Sequence, residues 1–336
     1  MSRLLSLLAA FAFAATSLAA DPWLTIPGGE GPGKGKKIVL ISGDEEYRSE
    51  EVMPQLGKIL ATHHGFDCTV LFAIDPADGA IQPNVKNNIP GLEKLKDADL
   101  MILFTRFRDL PDDQMKHVVE YVESGKPIIG LRTATHAFAL STNKKYSRYD
   151  WGNKDKQYSG GFGRQVLGET WVAHHGSHGK EGTRGIVAKG EDKNPILKGI
   201  DAGTIFGTTD VYTAKPPADC QILVLGEVTE TLKPDSKAVA GKKNEPMMPI
   251  AWTRNYKTET GKTAKIFTTT MGCADDLSHE GTRRMLVNAS YSVLGMEEKI
   301  ADKSKVDLVG EYKPTPFGTK KNDQWKPGTK PEDLAK

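Results

Sequence analysis

Runs of consecutive apolar residues alternate along this chain with segments whose apolar positions recur at helical spacing. Each run is short and continuous, which is typical of a strand covered on both faces. The strand candidates are residues 38–41, 69–72, 100–104, 127–131, 222–225, 249–252 and 265–269. They predict a buried sheet whose strands are mostly parallel.

Three other segments carry the helical pattern, each with a start and a stop signal. They are residues 49–65, 111–125 and 278–295. Ser49 and Ser278 are the expected N-caps of the first and third helices, and a glycine ends each segment. Strands that alternate with helices in this way predict right-handed crossovers and a doubly wound α/β fold. Functional side chains are then expected at the carboxyl ends of the strands.

The remaining segments lack both patterns. Residues 1–20 combine one early Arg, an apolar stretch and small final residues, which predicts a signal peptide and a periplasmic or secreted protein. Residues 21–36 predict a flexible lead-in that is rich in Gly, Pro and Lys. Residues 140–190 predict a long irregular insertion, and residues 299–336 an extended C-terminal tail. One domain is expected over residues 37–298.

Composition narrows the classes of partner and cofactor. The chain has 45 Lys and Arg against 43 Asp and Glu, a net charge of +2, so we expect no nucleic-acid partner. No stretch after the signal is long and apolar enough to span a bilayer, so we expect no membrane partner. The first strand-to-helix turn lacks a G-x-G-x-x-G pattern, so no nicotinamide and no other cofactor is expected. An oligomer is possible.

The turn after the fourth apolar run is the most informative feature. It carries Arg132, Thr133, Thr135 and His136 where a buried strand breaks into a polar segment. In α/β enzymes such an elbow holds reactive groups, and the helix expected after it favours an anion. Arg132 is a permanent cation and cannot act as a nucleophile. The alternative is a plain buried strand followed by a helix.

Two further turns are expected at the same edge of the sheet, the rim formed by the carboxyl ends of its strands. After the first strand, the acidic pair that includes Glu46 precedes Tyr47, and it suits hydroxyl binding or acid–base chemistry. The alternative is a charged cap on the helix. After the third strand, Arg106 and Arg108 alternate with Phe107 and could hold a carboxylate, a phosphate or a sugar ring. An ordinary surface ion pair of Arg108 is the alternative.

Three histidines fall within five residues in the insertion: His174, His175 and His178. Histidine at this density makes a metal site one alternative, a metal-free histidine in the site a second, and a solvated loop a third. Glycines within the segment argue against the helix that would place two of these side chains on one face. Other candidate site residues follow later strands. They are Asp210, Trp252 and Cys273.

Several motifs, in this order, resemble the ThuA-like (trehalose utilisation) family, a branch of the class I glutamine amidotransferase-like superfamily. The resemblance covers about residues 37–295. The motifs are Ile41-Ser42-Gly43, Gly130-Leu131-Arg132, Asn194-Pro195-Ile196, Thr209-Asp210-Val211-Tyr212, Pro249-Ile250-Ala251-Trp252, Thr268-Thr269-Thr270-Met271-Gly272 and Arg283-Arg284-Met285-Leu286. The resemblance implies a flavodoxin-like three-layer α/β/α fold and a link to carbohydrate metabolism.

Departures from the family pattern bear on mechanism. Arg132 stands at the cysteine position of the amidotransferases, and Asn194 stands where the family often has His. Glutamine hydrolysis through a Cys and His pair is therefore excluded on chemical grounds. Cys273 replaces a histidine that the family often has after its last strand.

The first functional hypothesis is an exported enzyme that acts on a glycoside or an oxidised (keto) sugar as a hydrolase, lyase or isomerase. Its expected catalytic residues are Arg132, His136, Glu46 and His175. Its expected substrate-binding residues are Arg106, Arg108, Tyr47, Thr133, Thr135, His174, His178, Asp210, Trp252 and Cys273.

Two other hypotheses differ in class. One is a catalytically silent carbohydrate-binding protein, with aromatic side chains such as Trp171 and Phe107 stacked on the sugar. The other is a metal-dependent hydrolase in which His174, His175 and His178 hold the metal, together with a carboxylate such as Glu46 or Asp210.

Overall fold

A single ten-stranded sheet forms the centre of the fold. The computed structural model describes residues 21–140, 145–325 and 328–335, so the predicted signal peptide lies outside the described residues. The strands are β1 (Trp23–Ile26), β2 (Lys37–Gly43), β3 (Asp67–Leu71), β4 (Leu100–Thr105), β5 (Ile128–Leu131), β6 (Gly182–Val187), β7 (Phe206–Gly207), β8 (Cys220–Thr229), β9 (Met248–Lys257) and β10 (Thr263–Thr269). Their order across the sheet is β1-β3-β2-β4-β5-β10-β9-β8-β6-β7.

The five central strands, β3-β2-β4-β5-β10, are parallel, and helices cover both faces. Helices α1 (Ser49–His64) and α3 (Glu280–Val293) share one apolar cluster with Leu40 of β2. Helix α2 (Asp112–Glu123) shares the opposite cluster with Val39. Neighbouring residues of a strand point to opposite faces, so the continuous apolar run of β2 fills both cores. The α/β prediction is confirmed.

Strands β9, β8, β6 and β7 extend the sheet as an antiparallel wing. Strand β6 lies inside the segment predicted to be irregular, so that prediction is corrected for residues 182–187. Its run is interrupted by Thr183, Arg184 and two glycines, and it becomes a strand by pairing with β8. This long-range pairing leaves no apolar pattern in the sequence.

The prediction of a flexible lead-in over residues 21–36 is also corrected. Residues 23–26 form β1, which pairs with β3 in antiparallel register at the sheet edge. A strand of four residues is too short to show periodicity. The following residues are held by hydrogen bonds from Gly29 to the Ala61 carbonyl and from Gly33 to the His64 carbonyl, at the end of α1.

Three local predictions differ from the structure. Ser49 is the first residue of α1 and does not cap it, because Arg48 precedes the helix and the Ser49 hydroxyl accepts the Asp44 N–H. No long helix follows β5, where a five-residue 3₁₀ turn covers Arg132–His136. Ser278 ends a short turn before α3. The Ser49 hydroxyl therefore bonds to the loop before α1 and does not cap the helix. After β5, the Thr135 hydroxyl bonds to the backbone of the elbow, where the sequence predicts the start of a helix.

The C-terminal tail runs across the carboxyl ends of the central strands. Thr315 donates both its N–H and its hydroxyl to the Glu51 carboxylate, and the Gly318 N–H donates to the Glu46 carbonyl. The tail therefore contacts the rim where the candidate residues gather. None of the helices in the described ranges has the length and apolar character needed to cross a membrane.

Candidate functional site

Backbone strain is concentrated at the carboxyl ends of the central strands. Within the described ranges, the non-glycine residues with positive φ are Arg48 (62°), Phe107 (50°) and Arg132 (42°). They follow β2, β4 and β5 respectively. A left-handed backbone is unfavourable for L-residues and persists where the surroundings fix it, as at functional sites. The strain marks this rim as the candidate site.

Arg132 lies at the centre of the rim but is buried. Its Nη1 donates to the carbonyls of Asp210, at 2.7 Å, and Thr270, at 2.8 Å. Its Nη2 lies 3.1 Å from Asp210 Oδ1, and the guanidinium packs on the rings of Tyr47 and Tyr212. Burial would lower the pKa of Arg132, but the two tyrosines and Asp210 raise it. The charge is therefore permanent and orients Asp210.

Asp210 joins this buried cation to two histidines. The Nδ1 atoms of His174 and His178 lie 2.7 Å and 3.0 Å from the two carboxylate oxygens. Burial alone would raise the pKa of Asp210, but hydrogen bonds from both histidines and the charge of Arg132 lower it to about 2. Asp210 is therefore an ionised carboxylate that fixes both imidazoles.

A chain of charged groups continues from His178 along the rim. Its Nε2 lies 3.2 Å from Glu46 Oε1, and the other Glu46 oxygen lies 3.0 Å from Arg106 Nη2. Arg106 also contacts Glu45 at 2.5 Å, and Glu45 pairs with the buried Arg108. Burial opposes the ionisation of Glu45, but the charges of Arg108 and Arg106 prevail and lower its pKa. Acids and bases therefore alternate from Asp210 to Arg108.

The acidic loop is tied directly to the elbow. One oxygen of Asp44 accepts the N–H groups of Glu46 and Tyr47, each at 2.6 Å, and the other accepts the Thr133 hydroxyl. The Thr135 hydroxyl donates to the backbone of the same elbow. Thr133 and Thr135 therefore hold the loops in place and do not face the cavity. The Asp44 bonds fix the direction of Glu46.

A cavity of about 40 Å³ lies beside this chain of charges. Its walls are formed by Glu46, Tyr47, Arg106, Phe107, His136, Trp171, His174 and Tyr212. His136 is buried among the rings of Phe107 and Trp171, at centroid distances of 4.8 Å and 5.5 Å. Burial, together with the charges of Arg106 and Arg132, lowers the pKa of His136 well below its usual value of 6.5. A neutral imidazole therefore lines the cavity.

Two larger depressions flank the cavity. One, of about 440 Å³, is lined by Phe107, Trp151 and Lys86, and shares Phe107 with the cavity. The other, of about 340 Å³, is formed by the C-terminal tail and includes Phe317. The Phe317 ring packs 5.1 Å from that of His178. Phe107 therefore connects the cavity to the first depression, and the second lies beyond His178.

A family profile described as "ThuA: Trehalose utilisation" matches residues 37–291. The chain belongs to the ThuA family. It is similar to a thua-like protein of known structure from Parabacteroides merdae, with a TM-score of 0.50 and 14% identity over 85% of this chain and 98% of that one. This likeness shows a shared fold.

A second solved structure gives a similar result. A thua-like protein from Bacteroides uniformis is 15% identical, with a TM-score of 0.48, and covers 80% of this chain and 94% of that one. No curated protein matches the chain. The resemblance read from the sequence motifs is confirmed by the family match, and the flavodoxin-like fold class is consistent with the first of these structures.

Two predicted binding residues of this ThuA-family chain lie in its core. Trp252 is fully buried, and its indole N–H donates to the Leu167 carbonyl at 2.8 Å. Cys273 is buried with its thiol 3.1 Å from an Asp276 oxygen. Trp252 belongs to β9, where side-chain direction alternates along the strand and turns the indole inward. Cys273 lies in the loop after β10, where its thiol contacts Asp276. Neither lines the cavity.

Two other predicted site residues, His175 and Arg108, lie near the site without lining the cavity. His175 Nε2 lies 2.9 Å from the Lys243 carbonyl, and His175 is not among the residues that line the cavity. Arg108 is fully buried behind Glu45 and donates to the carbonyls of Pro83 and Val85. Their contacts show how each is held, and their catalytic and binding roles stay predictions.

Trp151 and Phe317 were missed by the sequence reasoning. Trp151 packs 5.1 Å from Phe107 and lines the larger depression. Phe317 packs on Tyr47 at 5.3 Å. Each is a lone aromatic in a segment without periodicity, so only its size and apolar character distinguish it from its neighbours. An aromatic residue within a polar or proline-rich segment was the available signal.

Proposed function

We propose that this ThuA-family protein binds a glycoside or an oxidised (keto) sugar at this rim and transfers a proton there. The observation that carries the proposal is the position of Glu46. Its carboxylate lines the cavity, and its two oxygens are held by His178 and Arg106. A carboxylate positioned between an imidazole and a guanidinium is suited to exchanging a proton with a bound substrate.

The shape of the site supports a sugar as the substrate. A cavity of about 40 Å³ has room for one small oxygen-bearing group. The neighbouring depression of about 440 Å³ is large enough for a sugar ring. There the rings of Phe107 and Trp151 offer apolar faces on which the C–H groups of a sugar would pack. The sugar would then direct one carbonyl or hydroxyl into the cavity.

The charges around the cavity favour an oxidised sugar. A carbonyl group makes the neighbouring C–H bond acidic, so Glu46 would take that proton while the C–H electron pair forms an enolate. Arg106 would stabilise the negative charge on the enolate oxygen. His136 is neutral, so it lines the cavity without adding a second positive charge beside Arg106. Arg132 is a positioning residue in this scheme, since it acts through Asp210.

The proposal includes the absence of glutaminase activity and action after export. Arg132 stands at the elbow where amidotransferases carry cysteine, and a guanidinium has no nucleophilic atom at ordinary pH. Burial and the neighbouring Asp276 raise the pKa of the Cys273 thiol well above its usual value of 9, which disfavours a thiolate there. The pattern of residues 1–20 supports a periplasmic or secreted location.

The test is an assay of the purified protein against 3-keto-glycosides and simple disaccharides, including trehalose, with binding measured in parallel by calorimetry. We expect turnover of a keto sugar, and a fall of about 10²- to 10⁴-fold in Glu46→Gln. Glu120→Gln, on the exposed face of α2, is the matched control and should keep full activity. Binding without turnover would indicate a carbohydrate-binding protein and contradict the catalytic part. No binding of any sugar would contradict the proposal as a whole.

A further inference from the structure

Three potential metal ligands converge at the outer side of the rim. His174, His178 and Asp210 each offer one ligand atom, and these atoms lie within 4.8 Å of one another. We propose that these residues bind one divalent transition-metal ion, with Zn²⁺ as the representative ion. The inference rests on the proposed function only for the chemistry that the ion would assist, since binding itself requires no sugar.

The donor set fits such an ion. Two imidazole nitrogens and one carboxylate oxygen form a borderline set that suits Zn²⁺ and its neighbours in the first transition row. Asp210 is fully buried, whereas the side chains of His174 and His178 are each 36% exposed. Three protein ligands with one side open to solvent are typical of catalytic zinc sites, where water or substrate completes the coordination.

The surroundings of His178 provide an independent argument. Its Nε2 faces Glu46 at 3.2 Å, while its Nδ1 faces Asp210. When the Nε2–H group donates to Glu46, the Nδ1 lone pair is free to bind an ion. Metal-bound histidines usually donate their second N–H to a carboxylate in this way, which fixes the tautomer and the ring orientation. Glu46 is held in turn by Arg106.

The backbone places the two segments in fixed register. His174 forms a β-bridge with Tyr212, and the N–H groups of His175 and Gly176 both donate to the Val211 carbonyl. A Cβ atom at Gly176 would lie 3.0 Å from the Asp210 Cβ, so the two segments approach closely at this glycine and a side chain there would push them apart. The histidine segment is therefore bound to the segment that carries Asp210, and little reorganisation is needed to bring the ligands together.

Arg132 leaves room for the ion. Of the two carboxylate oxygens of Asp210, Arg132 contacts Oδ1, whereas Oδ2 faces His174. A carboxylate has about four lone-pair positions, so Oδ2 can bind a cation while Oδ1 keeps its contact with Arg132. An ion would replace the two hydrogen bonds that the imidazoles now make to Asp210.

The test uses tag-free protein that has been stripped with a chelator and titrated with Zn²⁺ alone, followed by calorimetry and elemental analysis after dialysis. We expect one Zn²⁺ per chain. His174→Ala and His178→Ala should each weaken binding by about 100-fold or more, and Glu46→Gln by about 10- to 100-fold. His175→Ala is the matched control, because its Nε2 contacts the Lys243 carbonyl, and it should bind Zn²⁺ like the wild type.

Co²⁺ substitution adds a spectroscopic readout, since a four- or five-coordinate site gives visible absorption that His178→Ala should abolish. Circular dichroism checks that each variant is folded. The inference is overturned if the wild type holds no stoichiometric Zn²⁺, or if His174→Ala and His178→Ala bind like the wild type. Equal loss in His175→Ala would also overturn it. Zn²⁺ binding without sugar turnover would contradict the proposed function alone, and turnover without Zn²⁺ binding would contradict this inference alone.

Discussion

Replacing Arg132 with leucine should destabilise the fold strongly, although Arg132 occupies the position of a catalytic residue in related folds. The substitution removes the cation that compensates Asp210, which is fully buried. It also removes both hydrogen bonds from Nη1 to the carbonyls of Asp210 and Thr270. Breaking a buried ion pair by removing one partner costs about 3–5 kcal/mol. We expect a loss of this size in the free energy of unfolding.

A double-mutant cycle separates the charge effect from simple loss of packing. In the Asp210→Asn background no buried anion is left uncompensated, so Arg132→Leu should cost less by about 1 kcal/mol or more. Lys116→Leu is the control, because its ion pair with Glu120 on α2 is largely exposed and worth about 1 kcal/mol or less. The assay is urea unfolding followed by circular dichroism. A cost of Arg132→Leu equal to that of the control, or strict additivity in the cycle, would refute the reasoning.

Two further predictions concern other parts of the chain. His64 is buried against Tyr291 and the Lys305 carbonyl, and burial lowers its pKa from the usual 6.5 to about 4. The unfolded chain therefore binds the proton first as pH falls from about 6.5 to 4, so the folded state should lose up to about 3 kcal/mol over this range. Urea unfolding at pH 7 and pH 4.5 should show a smaller loss in His64→Gln, and an equal loss in both proteins would contradict this cause. Trp151→Ala should weaken sugar binding by about 10-fold, through loss of one stacking face, and leave Zn²⁺ binding unchanged. Calorimetry with each ligand checks this, and unchanged sugar affinity would place the sugar elsewhere.

The parallel centre of the fold was predictable because its strands are buried on both faces. A strand such as β4 (Leu100–Thr105) is apolar at nearly every position, and this run is visible without knowledge of its neighbours. Strand β6 is different, since its residues become a strand only through pairing with β8. The edge strand β1 is too short for any pattern. Local sequence therefore predicts the strands of the core, while the wing depends on contacts distant in the chain.

The candidate site, like the fold, was predictable from local sequence only in part. The elbow and the histidine segment were visible as clusters of polar residues, because each lies within one short segment. The contact between Arg132 and Asp210 joins residues 78 positions apart, so no local pattern predicts that Arg132 is enclosed. Trp252 was chosen for its type and place near a strand, but the direction of its side chain depends on the register of β9 with β10. Local patterns predict which residues carry chemistry, but not which of them face the cavity.

A sugar bound against Phe107 and Trp151 should present its reacting group to Glu46. A crystal structure of the protein soaked with a 3-keto-glycoside, at a concentration that saturates binding in calorimetry, tests this placement. We expect a sugar ring in the depression lined by these aromatic residues, with one oxygen within hydrogen-bond distance of Arg106 and the adjacent carbon next to the Glu46 carboxylate. A sugar bound elsewhere, such as in the groove beside Asn194, would contradict it.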